Sequence, residues 1–217
     1  MAPRSRWQTG ALGAIAALGL LPAQAEAGAA LTQVEAGGQN RFDPEVAQYA
    51  VVSNQFYWQW GGAGSTARKH DVVQDKGLFR SPGGPRKSFP DPGFVLSASA
   101  GTFPYHCSVH GSSGGQGMSG KIKSIPGFFR SGEVIVGTWA GPTSTTGNRY
   151  DIRYRIGSGQ WHTWKSKTAQ LDGYFGQGAN PVEIKPEKTY RFQARSLKRA
   201  DPGKRSGWSP IATVDPL

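Results

Sequence analysis

Apolar side chains in this chain recur at every second position, and no long stretch repeats them at helical spacing, so they can be buried only as the faces of β-strands. Phe56, Trp58 and Trp60 alternate with Tyr57 and Gln59. Phe103, Tyr105 and Cys107 share one face of a second run, with His106 on the other, and Ile122 faces in between Lys121 and Lys123. Tyr150, Ile152, Tyr154 and Ile156 alternate with Arg149, Asp151, Arg153 and Arg155; Tyr190, Phe192 and Ala194 alternate with Arg191, Gln193 and Arg195. The 31 Gly and 15 Pro among 217 residues supply the turns that such short strands need. Seven Trp and ten Phe exclude a chain too polar to fold. The sequence therefore predicts an all-β protein of two β-sandwich domains in tandem.

The first residues read as a targeting segment. Arg4 and Arg6 precede the apolar run 11–23, and Ala23-Gln24-Ala25 or Ala25-Glu26-Ala27 offers small-residue cleavage, the order of a secretory signal over residues 1–27. The apolar run is too short to span a bilayer, so the mature chain is expected to be soluble and exported, periplasmic or extracellular. It divides near residue 126, where Pro126-Gly127 and Ser131-Gly132 mark a linker over 126–132 between domains at 28–125 and 133–217. The net charge of +11 is concentrated in the second half, where fourteen basic residues face seven acidic ones.

The chemistry-bearing residues cluster in one stretch. Cys107 is the only cysteine, which excludes an intrachain disulfide and any multi-cysteine zinc site. An unpaired thiol in an exported protein risks oxidation unless it is ligated. His110 follows three residues later, and Met118 stands beyond the Gly-rich segment 111–117. A soft thiolate, a borderline imidazole and a soft thioether on one loop form a ligand set suited to copper, and a blue-copper centre needs one imidazole more. His106 points away from Cys107, which leaves His70 and His162. His70 lies in the same half as Cys107 and is the better candidate; His106 and His162 read as structural.

In the segments Phe42-Asp43-Pro44, His70-Asp71-Val72, Gly101 to His110 and Gly117 to Ile122, residues 30–125 resemble the cupredoxins, the Greek-key blue-copper sandwiches of plastocyanin, amicyanin and azurin. The resemblance implies a type-1 copper held by His70, Cys107 and His110 in a plane with Met118 as axial ligand, and an electron passing through the exposed edge of His110. Gln116 is an alternative axial donor. Two departures stand out: Asp71 occupies a place where relatives usually carry an Asn that braces the ligand loop, and the loop from His110 to Met118 is longer than in plastocyanin or amicyanin. No His-x-His pair is present, so the further coppers of multicopper oxidases and nitrite reductases are not encoded.

Residues 133–214 resemble a fibronectin type III module. The carriers are Val134 to Trp139 with its core Trp, Ile184 to Phe192 with Tyr190 as a corner tyrosine, and Gly207-Trp208-Ser209-Pro210. No catalytic set occurs there, and the Trp and Phe stripes read as core. Pairing the strands at 149–156 and 190–195 would merge Arg149, Arg153, Arg155, Arg191 and Arg195 into one basic patch. Such a field suits an acidic polymer or an acidic redox partner, and equally a solvated face that confers solubility.

The expectation is therefore a monomeric one-electron carrier with a protein redox partner, not an enzyme, not bound to nucleic acid and not membrane-spanning. The alternatives are copper delivery or storage, and a secreted adhesion or scaffold protein with an accessory copper domain.

Overall fold

The computed structural model describes residues 30–37, 40–50, 54–60, 68–88, 93–178 and 181–217. The expected signal segment lies outside them. The described chain is all-β, and among the described residues no helix is long and apolar enough to cross a membrane.

The first sandwich contains β1 (Ala30–Gly37), β2 (Arg41–Asp43), β3 (Val46–Ala50), β4 (Asn54–Gln59), β5 (Val73–Gln74), β6 (Phe94–Ser97), β7 (Gly101–Ser112) and β8 (Gln116–Ile125). One sheet runs β2-β1-β4-β6 and the other β3-β8-β7-β5. The β1/β4 and β3/β8 pairs are parallel and the rest antiparallel. Alternation decides which side chains meet between the sheets. Phe56 and Trp58 of β4 face Phe103, Tyr105 and Cys107 of β7 and Ile122 of β8 in one core, all but inaccessible to solvent. Trp58 is its centre, packed against Phe94 at 5.2 Å and edge-on to Tyr105 at 5.3 Å between ring centroids.

The second sandwich contains β9 (Gly127–Ser131), β10 (Val134–Thr138), β11 (Arg149–Ile156), β12 (His162–Thr168), β13 (Asp172–Phe175), β14 (Tyr190–Leu197) and β15 (Ala212–Val214), in sheets ordered β13-β10-β9 and β12-β11-β14-β15. The core holds Ile135, Trp139, Tyr150, Ile152, Phe175, Tyr190 and Phe192. Tyr190 is buried, and its hydroxyl accepts Lys185 N–H at 2.9 Å, fixing the chain just upstream of β14. The segment expected as a linker is mostly strand β9. Its turn-forming ends hid Phe128 and Phe129, and Phe128 stacks on Phe192 at 4.0 Å. Gly137 makes room for that ring, since a Cβ there would run into it.

The two sandwiches meet through a buried polar seam. Thr102 and Gly207 exchange backbone hydrogen bonds at 3.1 and 2.9 Å, and Ala100 N–H donates to Trp139 O at 2.7 Å. Between them runs a hydroxyl chain. Ser196 Oγ donates to Ala100 O at 2.9 Å, which uses its only proton. It must therefore accept from Ser99 Oγ at 2.6 Å, and Ser99 Oγ in turn accepts from Thr146 Oγ1, also at 2.6 Å. All three hydroxyls, of Ser99, Thr146 and Ser196, are buried and hydrogen-bonded.

Candidate metal centre

The centre is built by a break in one β-ladder. β7 and β8 pair regularly down to His106 opposite Ser119, and pairing resumes with Gly111 opposite Gly117. Between those rungs Cys107, Ser108, Val109 and His110 on β7 face Met118 alone on β8. Four residues opposite one must bulge out of the sheet, and the bulge turns Cys107 and His110 toward a common point. The closing rung needs two glycines. A Cβ on Gly111 would run into the Met118 carbonyl, and one on Gly117, which has φ +65°, into the His110 carbonyl.

His70 arrives from the chain before β5. Its backbone exchanges hydrogen bonds with Arg86, both at 3.0 Å, and the Arg86 carbonyl also accepts Trp60 Nε1–H at 2.8 Å. The Trp60 indole stands edge-on to the His70 ring. So placed, His70 Nδ1 lies 3.8 Å from Cys107 Sγ, and His110 Nδ1 lies 3.6 Å from the same sulfur. The three donor atoms fall within 4.8 Å of one another, with His70 and Cys107 buried and His110 half-buried. Burial pushes the His70 imidazole below its usual pKa, reinforced by His110 and Arg68 and opposed by Asp71. The neutral, ligating form is thereby favoured.

These spacings fit a shared ion. A thiolate binds a metal of this size at about 2.3 Å and an imidazole at about 2.0 Å, so around a near-trigonal ion sulfur and nitrogen stand roughly 3.7 Å apart. The two observed separations, 3.6 and 3.8 Å, bracket that value. The buried His-Cys-His cluster could therefore hold a metal ion.

Two aspartates tie the bulge and its flanks to the His70 segment. Asp71, fully buried, accepts Ser108 N–H at 2.7 Å on one oxygen, and on the other Ser108 Oγ–H at 2.8 Å and the Arg80 guanidinium at 3.2 Å. Asp75 accepts Gly114 N–H at 3.0 Å and lies 2.8 Å from His106 Nδ1. Both strand neighbours of Cys107, His106 and Ser108, are thus held by carboxylates from one short segment. In the sequence Asp71 stands out as a departure from the bracing Asn of the cupredoxins it resembles. A carboxylate has acceptor sites on both oxygens and here uses both, so the loop is tied down more than once. Asp75 gave no signal in the sequence, because its partners become neighbours only when β5 pairs with β7.

The structure brings His70, Cys107 and His110 together. Met118 is buried in the same core cluster as Cys107 and opposite the bulge, whereas Gln116 is exposed. His106 points to the other face and pairs with Asp75, and His162 is exposed against Tyr154 in the second sandwich. No family model matches this chain, and no curated protein matches it.

Proposed function

We propose that the chain is an exported type-1 copper protein that carries single electrons between redox partners. The observation that supports this most is the buried thiol with two imidazole Nδ1 atoms 3.6 and 3.8 Å away on a bulge facing Met118. In this reading His70, Cys107 and His110 would hold the ion, with the Met118 thioether as a further donor. A thiolate with nitrogen and thioether partners suits copper above harder metals. When bound, copper supplies a one-electron Cu(I)/Cu(II) couple.

The protein's part is to keep the donors still. Cu(I) and Cu(II) prefer different geometries, so a loose donor set would rearrange at every transfer. The Asp71 bonds hold the bulge, the Asp75 bonds hold His106 and Gly114 on either side of it, and the Arg86 bonds hold His70. Such outer hydrogen bonds orient ligands and tune the ion. His110 is the least buried of the three donors, so its ring edge is the route by which an electron reaches a protein partner. The role is that of a carrier, without substrate turnover.

The test is addition of Cu(II) to the purified apo-protein. The expected result is an intense visible band from thiolate-to-copper charge transfer at one equivalent, with a reversible one-electron wave by voltammetry. Tight binding without the band would overturn the type-1 assignment. The band without a reversible couple, together with release of copper to an apo-acceptor, would favour delivery over electron transfer.

A further inference from the structure

The second sandwich carries a surface that copper chemistry does not use. On the outer face of β11 and β14, guanidinium groups and indoles alternate. Arg195 lies 4.4 Å from the Trp208 ring centroid and Arg153 lies 4.2 Å from the same ring. Arg153 also lies 4.5 Å from Trp161, which Arg155 approaches at 4.7 Å. Sequence reasoning placed the Trp residues in the core and the arginines in a plain patch. Trp161 and Trp208 are instead half-exposed members of the stack.

The stack is rigid and under-neutralised. Arg195 is paired with Asp151 at 2.7 Å, and Arg153 is fixed by Gln193 Oε1 at 2.6 Å. Asp151 is the one acid on this face against Arg149, Arg153, Arg155, Arg191 and Arg195. Arg155 Nε is buried with no hydrogen-bond partner. Burial, with Arg195 and Arg155 close by, lowers the proton affinity of Arg153. An arriving anion would relieve the repulsion.

We propose that this arginine–tryptophan stack binds a linear acidic polysaccharide through its carboxylate groups. The choice of partner follows from what the stack withholds. Each indole already contacts two guanidiniums, so little ring face remains for the bases of a single-stranded nucleic acid or for a neutral sugar. A folded protein partner needs a desolvated apolar anchor, and these indoles are not free to provide one. What remains is a row of guanidinium charges that Asp151 only partly offsets, which complements repeated carboxylates on an extended chain. This inference is independent of the metal reading.

The full chain should bind polygalacturonate, a linear polycarboxylate, in calorimetry at low salt, with affinity falling steeply as salt is added. Dextran should not bind. Arg155→Gln, at the end of the stack, should weaken binding about tenfold. Arg155→Lys should give a smaller loss, because charge is kept and the fork is not. Lys185→Gln removes the same charge from an exposed site away from the stack and should change affinity less than about twofold. Near-ultraviolet circular dichroism reports whether each variant keeps its packing. Absence of polygalacturonate binding at low salt, equal losses in Arg155→Gln and Lys185→Gln, or tighter binding of a single-stranded oligonucleotide of equal charge would each overturn the proposal.

Discussion

Each sandwich buries an aspartate against one backbone amide and one arginine, and the two use that same device to different ends. In the first, Asp71 joins the His70 segment to the ligand bulge through Ser108, and its arginine partner Arg80 has a side chain 56% exposed. In the second, Asp151 of β11 accepts Lys167 N–H from β12 at 2.8 Å and both Nε and Nη2 of Arg195 from β14, whose side chain is only 22% exposed. Asp71 thus positions a loop whose regular ladder has been given up. Asp151 ties together three strands already joined edge to edge, and it sets the charge and spacing of a surface. A buried carboxylate is tolerated when its acceptor sites are filled, but what is lost with it depends on whether the backbone it holds has other support.

The sharpest break in this comparison is Cys107→Ser. It should abolish the visible copper band, since no other sulfur in the chain can form a thiolate, and leave the arginine–tryptophan stack untouched. The measurement is the absorption spectrum beside polygalacturonate binding. A surviving band would mean that the thiol is not a ligand.

Next come the aspartates themselves. Asp71→Ala removes both Ser108 hydrogen bonds and leaves a hole where a fully buried carboxylate stood, which should cost about 2–4 kcal/mol in denaturant unfolding. Loss of such a positioning bond should also weaken copper binding about 10–100-fold. Asp71→Asn keeps an acceptor for Ser108 N–H, and the Ser108 hydroxyl can turn to accept from the new amide, so it should lose about 1 kcal/mol and keep the band. Asp151→Ala should cost stability on the scale of Asp71→Ala while the copper spectrum stays as it was. A spectral change in Asp151→Ala would show that the sandwiches are coupled more tightly than their hydrogen-bonded seam implies.

These pairs also show what the sequence could and could not announce. Strand alternation alone put Phe103, Tyr105 and Cys107 on the buried side of β7 with His106 opposite, and burial follows that pattern along the strand. His70, Cys107 and His110 were legible as a group that could hold a metal ion, because few residue types bind soft metals and the chain has four histidines and one cysteine. Ser99, Thr146 and Ser196 were silent: small hydroxyl residues carry no periodicity, and their chain exists only where two sandwiches meet. Strand β9 was hidden by its flanking turn residues, and Asp151 was hidden in a run of arginines that looked uniformly outward. Local pattern reveals faces; it does not reveal partners that only tertiary pairing supplies.

A finer test concerns Met118. Met118→Gln replaces a soft thioether with a harder amide oxygen, which favours Cu(II) and should lower the reduction potential with the band retained. Voltammetry of the two proteins measures it directly, and an unchanged potential would place Met118 away from the ion. Asp151→Asn, by the same measurement, should leave the potential unmoved.

The smallest expected effect separates the two arginines. Arg80 meets Asp71 at 3.2 Å from an exposed side chain, so water screens the pair and readily replaces it. Arg80→Gln should therefore cost less than about 0.5 kcal/mol, because Ser108 still fills both oxygens of Asp71. Arg195→Gln removes two short bonds from Asp151 and one guanidinium from the Trp208 ring, and should cost about 1–3 kcal/mol. Urea unfolding of the two variants, compared at equal slope, decides it. If Arg80→Gln proved the costlier, the brace at the ligand loop would rest on the ion pair and not on the Ser108 bonds, and the Asp71→Asn variant would have to fail as well.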